Sequence, residues 1–482
     1  MERTTFKDFK LSEEIRKALY YLGYEKPTKV QKAVIPEAMN RKDLIVKSQT
    51  GSGKTAAFAI PICELTDWLM NKPQALILTP TRELAIQVQE DFTNIGRLKR
   101  IKAVAVYGKQ PIAIQKIELK QKTHVVIGTP GRVADLIERG DLVLDQIQFL
   151  ILDEADEMLA MGFLTQVEGI LNQLPKDRVT MLFSATMSDE IKKLALNHMR
   201  QIEEIEIQSD VVTVEETKHY KIHVSEEEKD TLLKAITVME SPDSCMIFCQ
   251  TQERVEELFY LLKKQGYPCN RIHGGMEQQD RMKAMNSFKR GEFRYLIATN
   301  VAARGIDVES VSLVINYDIP HEKEGYVHRT GRTGRAGQEG RAITFVTKAQ
   351  ESYLKELEKF IGFEIPIMEK PTKEQILERQ NEFEIKLKAK PVLKQSKSVR
   401  LDRQITKLRF NGGKNKKLRA TNFVGVISNI EGVSAEDIGI ITVLDSLTYV
   451  EILHGKGPKV LEAMKTLTIG GRQLKVTVAK DK

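Results

Sequence analysis

The stretch SQTGSGKT, Ser48 to Thr55, decides how this chain is read. It matches the phosphate-binding loop pattern G-x-x-x-x-G-K-[ST] except at its first position, where Ser48 replaces glycine. It follows the apolar run DLIVKS and precedes AAFAIPICEL, the strand–loop–helix context that a phosphate cradle requires. Gly51 and Gly53 let backbone N–H groups turn onto phosphate oxygens, and a helix N-terminus adds a favourable dipole. On this reading Lys54 pairs with the β and γ phosphates and Thr55 ligates Mg²⁺. Taken alone, the loop is also compatible with a chance glycine-rich turn.

Working outward, a second element narrows the choice. LILDEAD places Asp153 and Glu154 just beyond an apolar run, where a strand of the same sheet delivers carboxylates to the same edge. Asp153 then holds Mg²⁺, through water, and Glu154 orients or deprotonates the attacking water. An acidic helix N-terminus stabilised by its dipole explains DEAD alone, but not beside the loop. The runs DLIVKS, QALILTP, KAVAVYG, HVVIGTP, FLILDEAD and TMLFSAT alternate with amphipathic stretches, which predicts a parallel α/β sheet covered on both faces. After about Gln208 the pattern restarts with CMIFCQ, CNRIHG, YLIATN, LVINYD and RAITFVT, a second α/β domain ending near Met368.

Composition sets the outer bounds. The chain has 482 residues, 41% hydrophobic and 29% charged, enough for several globular domains. No run of eighteen apolar residues occurs, and MERTTFKDFK lacks the apolar stretch of a signal peptide, so a cytoplasmic location without a membrane is expected. Cys63, Cys245, Cys249 and Cys269 have no disulfide or zinc spacing, and Cys245 and Cys249 read as small core residues. The net charge of +8 is concentrated: Lys386 to Arg419 holds thirteen Lys or Arg against Asp402, leaving about −4 elsewhere. Such a stretch suits phosphate neutralisation on nucleic acid, with a solvated linker as the alternative.

From Gln404 the pattern changes to ITKLRFN, NFVGVISNI, YVEILH, GPKVLEAMKTL and QLKVTVA, read as β-α-β-β-α-β, the ferredoxin-like order. The helix over 420–430 competes with strand-favouring Val424, Val426 and Ile427. An RNA-recognition fold stacks bases on strand aromatics, but here Arg409 and Leu447 stand at two such positions and only Tyr449 remains. Recognition then leans on Lys407, Arg409, Lys414, Lys416, Lys417 and Arg419, with Tyr449, and on the shape of a folded RNA. A protein-docking module of the same fold is the alternative.

Residues 1–368 resemble the DEAD-box RNA helicases. GYEKPTKVQ resembles the Q motif, and PTREL, TPGR, DEAD, SAT, IFCQT, ATNVAARGID and HRTGRTGRAG follow in family order. The resemblance implies two RecA-like parallel-sheet domains in tandem, 1–207 (Q motif 4–32) and 208–368, then a basic linker 369–403 and an RNA-recognition-type α+β domain 404–482. It implies an ATP- and Mg²⁺-dependent helicase. Phe6, Tyr24 and Gln31 are expected at the adenine, Gln31 pairing with N6 and N7 as it does in DNA readout. Thr28-x-x-Gln31 is equally a helix capping box. Ser48, Gln49, Thr50, Gly51, Ser52, Gly53, Lys54 and Thr55 are expected at the phosphates, Gly305 at the nucleotide and Asp307 at the edge of the ribose. Arg332 and Arg335 are expected to neutralise charge on the γ-phosphate, an effect of about 10³–10⁵ in such enzymes; His328 and Arg329 belong to the same motif. Asp156, Ser184, Thr186 and His328 are expected to couple hydrolysis to strand separation, with Ser184 and Thr186 bonded to Asp156.

Pro80, Thr81, Arg82, Thr129, Gly131 and Arg132 are expected on one wall of an RNA groove, and Gln252, Arg254, His273, Gly274 and Thr299 on the other. Backbone contacts of this kind ignore sequence but sense the 2′-OH. Two positions depart from the family: Gly108-Lys109 where Gly-Gly is frequent, and Asn300 where Asp is usual. The core joined to such a tail resembles a bacterial subfamily directed to 23S ribosomal RNA, near the peptidyl-transferase centre, in large-subunit assembly. An ATP-gated RNA clamp and a DNA helicase are the competing readings.

Overall fold

The computed structural model describes residues 4–48, 51–207, 217–299, 311–334, 340–389, 391, 393 and 398–479. They form two compact units, one of residues 1–207 together with 396–482, the other of 208–395.

In the first unit seven strands, β1 (Leu44–Lys47), β2 (Ala75–Leu78), β3 (Ala103–Val106), β4 (Val125–Gly128), β5 (Phe149–Leu152), β6 (Val179–Ser184) and β7 (Glu203–Glu206), make one parallel sheet in the order β3-β4-β2-β5-β6-β1-β7. Residues of β2, β4, β5 and β6 are buried throughout, because helices cover both faces. The six apolar runs expected to be strands all are. The strand that sequence reading missed is β7, whose residues EEIE sit at the sheet edge beside β1 with only Ile205 packed on the core. Edge strands carry charge without penalty, so they escape an apolar criterion.

The second unit repeats the architecture with β8 (Thr217–His223), β9 (Cys245–Cys249), β10 (Cys269–Ile272), β11 (Tyr295–Thr299), β12 (Leu313–Asn316) and β13 (Gly340–Val346), all parallel, in the order β10-β11-β9-β12-β13-β8. Again the missed strand, β8, is at an edge and polar. Cys245 and Cys249 are fully buried, and burial pushes both thiols far up, as expected of core residues. The helix Lys373–Lys388 leads out of this unit and packs Phe383 on its core.

The C-terminal segment forms β14 (Thr406–Phe410), β15 (Ile438–Val443), β16 (Thr448–Ile452), a short β17–β18 hairpin (Thr468–Ile469, Arg472–Gln473) and β19 (Val476–Val478). The main sheet is antiparallel in the order β15-β16-β14-β19, with helices Ala420–Ile427 and Gly457–Ala463 on one face. Helix Ala420–Ile427 forms despite its valines because Phe423 and Ile427, one turn apart, both bury in the core of Leu408, Phe410, Val450 and Ile452. Leu401, Ile405 and Leu453 do not belong to that core. They pack instead into the first sheet's cluster with Leu11, Ile15, Leu19 and Leu98.

Candidate nucleotide and RNA site

Parallel pairing brings the carboxyl ends of β1, β5 and β6 to one edge of the first sheet, the position where α/β folds bind ligands. Register sets Lys47 opposite Ser184, and the Ser48 N–H donates to the Ser184 carbonyl at 3.0 Å. Ser48 is therefore an extension of β1 with a buried side chain. Gly51 and Gly53 have φ of +80° and +91°, the left-handed region that glycine enters freely. Gly53 caps helix Lys54–Leu65, so free N–H groups and the dipole of that helix face the loop.

Lys54 is 6% exposed and Asp153 2%. Neither the Lys54 ammonium nor Asp153 Oδ1 has a hydrogen-bond partner among the described residues. Burial raises the Asp153 carboxyl to about 6 against the pull of Lys54, with Glu154 raising it further. A buried ammonium at a helix N-terminus and a buried carboxylate oxygen, neither with a hydrogen-bond partner among the described residues, fit a bound phosphate chain with a divalent cation. Glu154, the residue before helix Ala155–Ala160, follows at φ 53°, ψ 53°, a left-handed conformation uncommon for a residue other than glycine.

Gln31 answers both of its sequence readings. The capping box with Thr28 is present, Gln31 Oε1 accepting from the Thr28 N–H at 3.0 Å. Its Nε2 also donates to the Gly53 carbonyl at 3.2 Å, which ties the helix Lys29–Met39 to the phosphate loop. The amide keeps one hydrogen and one lone pair for a base. Phe6 is buried and packs edge-on to the half-buried Tyr24 with ring centroids 6.0 Å apart.

Asp156 Oδ2 accepts from the Ala185 N–H (3.1 Å), the Thr186 N–H (2.9 Å) and the Thr186 hydroxyl (3.1 Å). The Ser184 hydroxyl, expected on Asp156, donates to the Thr186 carbonyl at 2.6 Å instead. That corrects the sequence expectation: Ser184 closes the turn that Asp156 grips.

Thr81, preceded by Pro80, caps helix Arg82–Gly96, and Thr129 is the N-cap of Pro130–Glu138, whose second residue is the exposed Gly131. Arg82 passes the backbone of Gly108, where an added Cβ would stand 3.5 Å from its guanidinium. Arg132 donates to the Gln110 carbonyl (3.2 Å) and Gln115 Oε1 (2.9 Å). Gln115 is fully buried and no motif marked it; a lone buried Gln in an amphipathic helix carries no sequence signal. Lys109 has φ 61°, the left-handed region that glycine enters freely.

In the second unit Gln252 lies against Gly274 and Gly275, where a Cβ on Gly275 would stand 2.7 Å from its Oε1. His273 Nδ1 accepts from the Gly275 N–H at 3.3 Å, so its Nε2–H donates to Glu256 at 2.8 Å. Thr299 ends β11, buried. Arg254 is spent locally, on Asp230, the Tyr317 hydroxyl and Glu257. Arg329 is buried and donates to Asn316 and the Asp318 carbonyl, and Arg332 donates to the His328 carbonyl at 3.1 Å. Gln49, Thr50, Asn300, Gly305, Asp307 and Arg335 lie outside the described residues. In the C-terminal sheet Lys407 Nζ sits 5.3 Å from the Tyr449 ring centroid, and Arg409, Lys414, Lys417 and Arg419 are exposed, with Lys416 half-buried.

Two parallel sheets in tandem, the first carrying a phosphate loop after β1 and paired carboxylates after β5, two places along the same sheet edge, define a nucleoside-triphosphate-driven helicase core. The DEAD/DEAH box helicase family profile matches residues 28–194, the Helicase conserved C-terminal domain 227–337, and the DbpA RNA binding domain 407–478. ATP-dependent RNA helicase DbpA of Bacillus subtilis (strain 168) is 59% identical over 98% of this chain and 99% of its own length. The DEAD-box helicase CshA of Geobacillus kaustophilus is 42% identical over 79% of this chain and 82% of its own. Among solved structures, S. cerevisiae Dbp5 bound to RNA and ADP BeF3 matches with TM-score 0.70 and 32% identity, covering 80% of this chain and all of that one. The chain belongs to the DEAD-box ATP-dependent RNA helicases, in the branch that ends in a DbpA RNA-binding domain. It is an ATP-binding, RNA-binding enzyme, and no described helix is long and apolar enough to cross a membrane.

Proposed function

We propose that this helicase hydrolyses ATP to open short RNA duplexes in 23S ribosomal RNA, during assembly of the large subunit in the cytoplasm, with its C-terminal domain supplying the address. The observation that carries the ATP half is the buried Lys54 ammonium and Asp153 Oδ1, neither with a hydrogen-bond partner among the described residues. Lys54 and the loop amides hold the triphosphate, and Gln31 and Tyr24 hold its base. Thr55 and Asp153 would hold a Mg²⁺, which would offset the negative charge of the phosphates. Glu154 takes the proton of the attacking water, and Arg332 and Arg335 stabilise the terminal phosphate in the ATP-bound state. Asp156 and Thr186 carry the change at the γ-phosphate to the RNA contacts: Pro80, Thr81, Arg82, Thr129, Gly131 and Arg132 on one lobe, Gln252, His273, Gly274 and Thr299 on the other. Arg254 braces the second set.

The target rests on the DbpA RNA-binding domain at 407–478 and on the concentrated positive charge preceding and opening it. Lys407, Arg409, Lys414, Lys416, Lys417, Arg419 and Tyr449 make the RNA contacts there. Glu154→Gln should keep ATP affinity and lower turnover by about 10²–10⁴, the contribution of a general base; turnover within threefold of the parent would remove Glu154 from that role. Lys414→Glu, Lys417→Glu and Arg419→Glu together, in the full chain, should leave basal ATPase intact. They should abolish the preference for a 23S hairpin over an unrelated hairpin of equal length. A retained preference would refute the address.

A further inference from the structure

We infer that half of the C-terminal domain's outer sheet face is a docking surface for the first helicase lobe, and that RNA held by the tail is presented in fixed register to that lobe. The inference stands apart from which RNA is bound.

Register separates the two faces. Leu408 opposite Val450 points into the domain's own core, so Lys407 opposite Glu451 points outward. RNA-recognition folds use that outward face for bases. Lys407 and Arg409, on β14, are exposed as expected, yet Glu451 is only 7% exposed and Leu453, following β16, 1%. What covers them is the end of helix Arg82–Gly96 and the turn beyond it. Arg97 grips Glu451 through two nitrogens at 3.1 and 3.3 Å and Asp402 at 2.6 Å. Arg100 donates to the Ala435 carbonyl at 2.7 Å and Gln121 to the Val443 carbonyl at 3.1 Å. Leu453 sits with Leu401 and Ile405 in the lobe's apolar cluster, not the tail's. Gly439, on β15, leaves the room, since a Cβ there would press on Glu451 and Leu453 at 3.0 Å.

The seam combines a two-toothed guanidinium–carboxylate clamp, two backbone caps and three buried aliphatic side chains, a build that fixes orientation. The uncovered half keeps Lys407, Arg409 and the loop 414–419 open to RNA.

The test is a charge-reversal cycle in the full chain, read by amide hydrogen exchange at 13–22, 97–102, 434–437 and 453–456. Glu451→Arg and Arg97→Glu should each speed exchange on both sides of the seam about tenfold or more, and the double swap should restore at least half of the protection. Glu451 lies outside the domain's own core, and Arg97→Ala perturbs the seam from the lobe side alone, so folding of the tail is not at stake. Unchanged exchange in the single variants, or a double swap no better than their sum, overturns the docking. Adding a 23S hairpin should leave the seam protected; loss of protection at 97–102 on RNA binding would give the face to RNA and overturn the inference equally.

Discussion

Gly53→Ala tests the phosphate loop most directly. Gly53 has φ +91°, and an L-residue forced into the left-handed region loses roughly 1–2 kcal/mol. The added Cβ would lie 2.6 Å from Gln31 Nε2 and 3.1 Å from Thr28 Oγ1. Gln31 cannot retreat without breaking either its capping bond to Thr28 or the 3.2 Å bond to the Gly53 carbonyl, a loss of about 1 kcal/mol. The strain is released if the loop abandons its phosphate-binding shape, so the cost falls on ATP binding and not on global stability. Together, about 2–3 kcal/mol corresponds to a roughly 30- to 150-fold weaker Kd. Calorimetric titration of the full chain with ATP and with GTP measures this. ATP should lose more than GTP if Gln31, the displaced residue, reads the base as proposed. A Kd for ATP within threefold of the parent, or an equal loss for both nucleotides, would refute the coupling of Gln31 to the loop.

Asp156→Ala removes the acceptor of three hydrogen bonds from Ala185 and Thr186. ATP affinity should be unchanged, while strands separated per ATP consumed fall about 5- to 150-fold, the usual span of coupling between sites; an unaltered ratio counts against Asp156 as the link. His124 accepts from the Lys102 N–H and faces the Trp68 carbonyl, and burial lowers its pKa to about 4. The unfolded chain binds that proton near 6.5, so between about 6.5 and 4 the unfolded state holds more protons and stability falls as pH falls. The loss reaches about 3 kcal/mol at full titration. Denaturant melts of the parent and of His124→Phe should show a steeper decline for the parent across that window, and parallel profiles would contradict the buried neutral ring.

The central strands of both sheets were legible because a strand buried on two faces must be apolar for its whole length. The edges β7 and β8 were not, since each has one neighbour and tolerates EEIE or TKHYKIH. At the site, glycines, Lys54 and the carboxylates announce themselves, because phosphate chemistry admits few residue types at those spacings. Gln115 and the Ser184 bond to its own turn were invisible: a glutamine that steadies an arginine, or a hydroxyl that chooses between two acceptors, is decided by packing. The valine-rich helix 420–427 shows the same override, local preference yielding to two side chains buried a turn apart.

The first compact unit is made of residues 1–207 and 396–482, which makes the second lobe an insertion between these two segments. A polypeptide threaded this way is anchored twice. A protease that nicks one crossing would leave every piece attached, the severed tail still bolted to its base plate through Arg97 and Leu453, so size exclusion would report an intact molecule while a denaturing gel reported two.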